Sequence, residues 1–392
     1  MELLPPRIRN PALLALLGDI LRNDADPAAI PALRLRLMKY GFSWQALTDL
    51  ATQQDVLPPL VHALTERALL PPAPRAAEQC RDGHVTLRLQ QYYRDHLARR
   101  DLLKTQLESV LGHLNRVGIV PLIIKGARYP LTPMAAWCEA RTFRDIDLLL
   151  RPDDARRAFA ELVAAGYRRG QPYMADYHHL ADLQHPSEPA PVELHTAALA
   201  VAGQSVMSTD FVWRNASKAA DGRFLVLPSE WQAVHCLVHH QLSDRGYTRR
   251  ILGLKPLWEW MMLSRDWSRD QWQVIVTHMR EAGALDLLGS WLVQVQRLFG
   301  TPLPEFVPIS SQASENATAT LHFALAPHWR RRTGFVLDQF RHSFAKDTLA
   351  ARYRKAPANI SVADRVRYLV HLLREHRGAL LRRLVGQSDR LS

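Results

Sequence analysis

Apolar residues recur at helical spacing through the first third of the chain. Leu13, Leu14, Leu16, Leu17, Ile20 and Leu21 form one stripe, entered through Asn10 as an N-cap and Pro11 at the first helical position. The same period predicts helices over 28–40, 44–54 and 56–67. The Pro-rich stretch from Leu70 to Pro74 separates them from a long, polar-faced helix over about 84–117, closed by Gly118. The pattern then shortens. Ile119-Val120-Pro121-Leu122-Ile123-Ile124 reads as a buried strand, and Lys125-Gly126-Ala127 leads into a short helical piece ending near Met134. Arg141-Thr142-Phe143-Arg144-Asp145-Ile146-Asp147-Leu148-Leu149-Leu150 reads as a second strand. Pro152, with Asp153 and Asp154 in the first turn, opens a helix that Gly166 ends. Tyr167–Arg169, His178–Leu183, Pro191–Ala197 and Phe224–Leu227 are further strands, the last after an Asp221-Gly222 turn. Beyond Pro228 the helical period returns over 230–244, 247–264, 268–282 and 284–299, with Ser229 and Gln232 in a capping-box pattern. A Pro-rich loop near 300–308 and helices broken near Pro327 and Pro357 follow. Ser361 with Asp364 opens a last helix to about Leu384.

This order predicts an α+β chain. A small mixed-sheet core at 119–227 lies between an N-terminal helical region, 1–118, and a C-terminal helical domain with a basic tail, 228–392. Its 392 residues, 47% hydrophobic, suffice for two or three domains and a sizeable core. No apolar run approaches the ~20 residues of a membrane span, and the N-terminus lacks the layout of a signal peptide. Cys80, Cys138 and Cys236 are widely spaced and odd in number, so neither a disulfide framework nor a metal knuckle is expected. A reduced, cytoplasmic setting fits. The net charge of +12 is uneven: from Arg330 onward 15 Lys or Arg stand against 5 Asp or Glu. The final helix carries Val362, Val366, Leu369, Val370 and Leu373 as a stripe among arginines. Packing against the helical domain is the first expectation for it, and an acidic partner, nucleic acid or a membrane surface the alternatives.

Alternation along the second strand puts Asp145 and Asp147 on one face with Leu149, and Ile146, Leu148 and Leu150 on the other. Two like charges that close call for a cation between them, and for oxygen ligands a divalent metal is the usual one. Gly126 lets backbone N–H groups approach a phosphate, and Lys125 supplies a point charge. Glu193, on a later strand, offers a third carboxylate. Three acids converging at a sheet edge can hold two Mg²⁺ (or Mn²⁺) and clamp the attacking and leaving oxygens of a phosphoryl or nucleotidyl transfer.

The ordered set Ile124-Lys125-Gly126, Arg141, Asp145-Ile146-Asp147-Leu148-Leu149, Gly166-Tyr167, His178-His179 and Val192-Glu193-Leu194-His195 resembles the bacterial family of uncharacterised nucleotidyltransferases, within the superfamily that includes DNA polymerase β. The resemblance covers about 115–265. It implies Asp145, Asp147 and Glu193 as catalytic metal ligands, and Lys125, Gly126, Arg141 and Arg144 as contacts to the nucleotide. The implied partners are an NTP, ATP by expectation, and an unidentified acceptor hydroxyl or phosphate on a small molecule or protein, with nucleic acid a less favoured choice. The family pattern leads one to expect an acid near Ile251–Pro256, where this chain has Lys255-Pro256. The alternative reading is a retired nucleotidyltransferase that senses nucleotides or binds a partner.

The histidines point to packing more than to metal. His195 shares a face with Glu193, either near the site or in a structural hydrogen bond. At most one of His178 and His179 faces a pocket. His235 and His239 form an i, i+4 pair able to chelate zinc, but no third ligand is evident beside them.

Overall fold

The computed structural model describes residues 8–22, 28–39, 41–71, 83–132, 135–170, 180, 182–353, 357–368 and 370. The described residues up to Arg331 form one compact unit and those from Arg332 onward a second. His178, His179, Cys80, most of the Leu70–Pro74 break and the tail beyond residue 370 lie outside the described residues.

The first unit carries one mixed sheet of seven short strands: β1 (Leu122–Ile123), β2 (Ile146–Leu149), β3 (Arg168–Arg169), β4 (Leu183–Gln184), β5 (Val192–His195), β6 (Ser217–Lys218) and β7 (Leu225–Val226). Their order is β3-β4-β5-β2-β1-β7-β6. β2 runs parallel to β5, and β1 parallel to β7; the other neighbours are antiparallel. This is the expected α+β arrangement of a mixed sheet flanked by helices.

Alternation works as the pattern demands. Ile146, Leu148 and Leu150 of the second strand region join Val192 and Leu194 of β5 in one core. Covering that face are Leu103, Leu107, Val110, Leu111 and Leu114 of helix Gly83–Arg116 and Ala155, Ala158 and Leu162 of helix Pro152–Ala164. Leu122, Ile124 and Leu149 belong instead to a second core. That core is built from helices at both ends of the unit, including Pro11–Leu21, Leu57–Glu66, Ser229–Val238, Leu254–Ser264 and Leu285–Phe299. Each buried Leu or Ile in these clusters contributes about 1.5–3 kcal/mol by transfer alone.

Most helix ends sit where the caps predicted. Asn10 accepts from the Leu13 N–H at 3.1 Å, and Gly118 and Gly166 take φ of +75° and +99° after their helices. Ser229 does not cap. Pro228 is the N-cap residue of Ser229–Val238; the Ser229 hydroxyl accepts from Trp267 Nε1 at 3.0 Å, and Gln232 Nε2 donates to the Lys125 carbonyl at 3.1 Å. A capping box does form at Ser268 with Gln271. The stretch read as one helix over 247–264 is two, Gly246–Arg249 and Leu254–Ser264, because Arg250 turns left-handed at φ +55°. Strand β6 and the helices Val201–Gln204 and Thr209–Asn215 have no counterpart in the apolar pattern.

In the second unit, Leu349, Ala350, Ile360 and Tyr368 form a small cluster. Ser361 and Asp364 cap each other's backbone as predicted. Val362 and Val366 are exposed and Tyr368 is buried, so the buried face of this helix is not the valine stripe. Among the described residues no helix is long and apolar enough to cross a membrane.

Gly18 marks the tightest helix contact. A Cβ there would lie 1.9 Å from the Leu298 carbonyl oxygen, whereas one at Gly112 would meet nothing closer than Arg116 Nη1 at 3.9 Å. Both glycines lie inside helices, where Ala is ordinarily favoured by about 0.5–1 kcal/mol. Gly112→Ala is therefore expected to raise the urea midpoint slightly, and Gly18→Ala to lower stability by about 1–3 kcal/mol through overpacking. Equal effects at the two sites would refute the close approach of helices Pro11–Leu21 and Leu285–Phe299.

Candidate active site

The parallel register of β2 and β5 sets Asp147 opposite Glu193 and Leu149 opposite His195. Because side chains alternate, Asp147, Glu193 and His195 project from the same face of the sheet. His195 Nε2 lies 2.8 Å from Asp147 Oδ1 and 3.4 Å from Glu193 Oε2. Lys125 Nζ donates to the same Asp147 Oδ1 at 2.7 Å. It reaches there because the chain leaves β1 through Ile124, whose N–H bonds the Asp147 carbonyl, and then turns sharply at Lys125 itself, φ +55°. The turn continues as the 3₁₀ segment Lys125–Arg128.

Charge at this cluster is strongly coupled. Burial pushes the Asp147 carboxyl up, but Lys125 and the bond from His195 outweigh it and hold the group far below the usual carboxylate range. Glu193 is lowered too: burial opposes, and the His195 bond prevails. Burial alone would depress His195, yet its bonds to Asp147 and Glu193 raise it overall. Lys125 is likewise raised against burial by Asp147.

A divalent cation fits these residues. One donor atom each from Asp147, Glu193 and His195 lie within 4.8 Å of one another. Asp147 Oδ2 is buried and has no hydrogen-bond partner among the described residues, an uncompensated position for a carboxylate oxygen. Asp145 is not one of the three; it stands just before β2 and lines the adjoining cleft. Its carboxyl is raised, first by burial and then by the charge of Asp147, with Glu193 adding to it, so the three acids share one field. Asp147 and Glu193 thus lie together with His195, while Asp145, the third acid of the expected set, is outside this cluster.

The cleft holds about 340 Å³ and is lined by Lys125, Gly126, Arg141, Arg144 and Asp145. Asp55, Gln232, His235, His239, Asp244, Lys255 and Glu259 line it as well. Gly126 leaves room for its neighbours: a Cβ there would fall 2.4 Å from Arg141 Nη1 and 2.7 Å from Phe143 Cβ. Arg141 is buried and held by Glu259, through Nε at 2.9 Å and Nη2 at 2.7 Å, while its Nη1 donates to the Thr142 carbonyl. Tyr129 donates to the other Glu259 oxygen at 2.7 Å. Arg144 is exposed and pairs with Asp55 at 2.9 Å, and Asp55 also takes Lys255 at 2.6 Å.

Sequence reasoning missed Glu259 and Asp55. Glu259 follows Lys255 by one helical turn, on the same helix face. Asp55 carries no motif, although its φ of +58° is unusual for a residue with a side chain. His235 Nε2 lies 3.0 Å from the Ala198 carbonyl and His240 Nε2 3.2 Å from that of Ile251. The single metal-capable cluster among the described residues contains neither.

The model of one protein family, described as uncharacterised nucleotidyltransferases, matches residues 40–300. The chain belongs to that family. No curated protein and no solved structure matches it.

Two outcomes follow from the buried charges. Glu259→Leu leaves the Arg141 guanidinium buried and unpaired, and is expected to cost about 3–5 kcal/mol in urea unfolding; adding Arg141→Met should recover much of it. A double variant no better than the single would sink this account. Burial, aided by His239, pushes His235 down to about 3 from 6.5. The unfolded chain takes up that proton first, so stability is intact above pH 6.5 and falls as pH drops from 6.5 toward 3, by up to about 1.4 kcal/mol per pH unit. His235→Gln should flatten that slope.

Proposed function

We propose that this member of the uncharacterised nucleotidyltransferase family transfers a nucleoside monophosphate from an NTP to an acceptor hydroxyl or phosphate, with divalent metal bound and pyrophosphate released. The observation that carries the reading is Asp147: set against Glu193 by strand register, salt-bridged by Lys125, and left with one buried oxygen unpartnered. We take the polymerase β-like superfamily as its parent, residues 119–227 as the catalytic core between helical regions 1–118 and 228–392, ATP as the first donor to try, and the cytoplasm as the setting.

In this reading Asp147 and Glu193, with Asp145 at the cleft, hold Mg²⁺ or Mn²⁺. His195 keeps the two strand carboxylates oriented. The bound metal would neutralise triphosphate charge and stabilise the leaving pyrophosphate. Lys125 and the Gly126 backbone meet the phosphates on the cleft side. Arg141, fixed by Glu259, and Arg144, movable at the surface, balance charge on the triphosphate.

The test is purified protein with α-labelled NTPs, Mg²⁺ or Mn²⁺, and a deproteinised small-molecule cell extract as the acceptor source. Label should pass from nucleotide to an acceptor. Asp147→Asn or Glu193→Gln should cut the rate about a hundredfold or more, the scale on which single preorganised charges act, while the fold stays intact by circular dichroism. His195→Gln should weaken Mn²⁺ binding about 10–100-fold. Absence of both label transfer and Mn²⁺ binding in the unaltered protein would overturn the reading and favour a retired, nucleotide-sensing module.

A further inference from the structure

The cleft lacks an obvious group to deprotonate an acceptor. Glu193, a metal ligand in the proposed reading, is turned toward His195 and does not line the cleft. Among the described lining residues, most acids and imidazoles are already committed: Asp55 to Lys255 and Arg144, Glu259 to Arg141 and Tyr129, His235 and His240 to backbone carbonyls. Asp145 is given to the metal in the nucleotidyl-transfer reading.

His239 is different. Its Nδ1 lies 3.1 Å from Asp244 Oδ2, and its side chain is 25% exposed on the cleft wall. The pairing depends on an irregularity of the backbone. At 3.6 residues per turn, positions i and i+5 of an α-helix point about 140° apart. Here the helix Ser229–Val238 widens into a π-turn, His239–Ser243, in which the Asp244 N–H bonds the His239 carbonyl at 2.9 Å. That i→i+5 closure brings the two side chains onto one face. The next residue, Arg245, takes φ +60° to leave the turn. A carboxylate on Nδ1 fixes the proton there and leaves Nε2 with its lone pair.

We propose that His239 is the catalytic general base that activates the acceptor, and that Asp244 is its positioning residue. The inference rests on the nucleotidyl-transfer reading and narrows it: the acceptor is a hydroxyl, since an ionised phosphate needs no base. Nε2 takes the hydroxyl proton and the acceptor oxygen's electron pair forms the bond to the α-phosphorus. The bond from that phosphorus to the bridging oxygen breaks, pyrophosphate leaves with the electron pair, and the proton passes from Nε2 to solvent.

The experiment measures pyrophosphate release and label transfer from a mixture of four α-labelled NTPs, with Mg²⁺ and the small-molecule extract as acceptor source. It compares the unaltered protein with His239→Ala, His239→Gln and Asp244→Asn, each checked for folding by circular dichroism. The expected result is a loss of about 10²–10⁴-fold in kcat for His239→Ala and His239→Gln. The KM for NTP should be unchanged, and added imidazole should partly rescue His239→Ala. Asp244→Asn should slow the reaction while nitrogen NMR reports the His239 proton moved from Nδ1 to Nε2. Undiminished transfer in both His239 variants would overturn the dyad and leave the nucleotidyl-transfer reading standing. No transfer by the unaltered protein would overturn the dyad, and joined to absent Mn²⁺ binding it would overturn that reading as well.

Discussion

Two carboxylates are set face to face by the parallel register of β2 and β5, and the site is organised around answering their repulsion. Asp147 and Glu193 are direct neighbours across strands that lie about 4.8 Å apart. At an effective dielectric of about 20, two full charges at that separation repel by roughly 3–4 kcal/mol. Moving either strand by one residue would relieve it, but would also turn Ile146, Leu148, Val192 and Leu194 out of their core. The apolar faces therefore hold the register, and the acids must be neutralised where they stand. Lys125 and His195 do so from two directions, both bonding one oxygen of Asp147.

Much of the rest of the cleft lining comes from distant parts of the chain. Helices from both ends of the first unit share one core with Leu122, Ile124 and Leu149 of the sheet. Through it, the helix Leu254–Ser264 delivers Glu259 to Arg141 and Tyr129, and the end of helix Trp44–Gln53 delivers Asp55 to Arg144 and Lys255. Arg141 could not lie buried beside the cleft without Glu259, since an unpaired guanidinium is expensive to bury. Gly126 completes the arrangement by leaving no Cβ in the space the guanidinium fills. The turn at Lys125-Gly126 is thus shaped as much by the helical region as by its own sequence.

Much of this was legible in the chain. Period-2 alternation around Asp147 and Glu193 gave both strands and the face they share, since that signal is local and the hydrophobic partners are unambiguous. The helix ends at Gly118, Gly166 and Asn10 were legible for the same reason. Pairings between remote segments were not. Nothing near Asp55 or Glu259 announces partners 89 to 200 positions away, and ion pairs leave no period. The Ser229 capping pattern misled because Pro228 takes the cap and a tryptophan and the Lys125 carbonyl claim the two side chains. The π-turn after Val238 was invisible too, because its residues keep an ordinary helical composition.

Backbone strain points to the same cleft independently of any motif. Five residues other than glycine have positive φ among the described residues: Asp55, Ala68, Lys125, Arg245 and Arg250. Such conformations cost of order 1–3 kcal/mol each and persist only where the surroundings over-determine them. Asp55 and Lys125 line the cleft directly. Arg245 and Arg250 bound the short helix that follows the π-turn, whose residues His239, His240 and Asp244 also line it. A fold free to relax would straighten the helix through Val238 and replace Lys125 with glycine. Straightening would separate His239 from Asp244, and removing the lysine would leave Asp147 without its cation. Four of these five residues thus lie in or beside the segments that carry the charged groups of the cleft: Asp55 and Lys125 directly, and Arg245 and Arg250 next to the π-turn that holds His239 against Asp244.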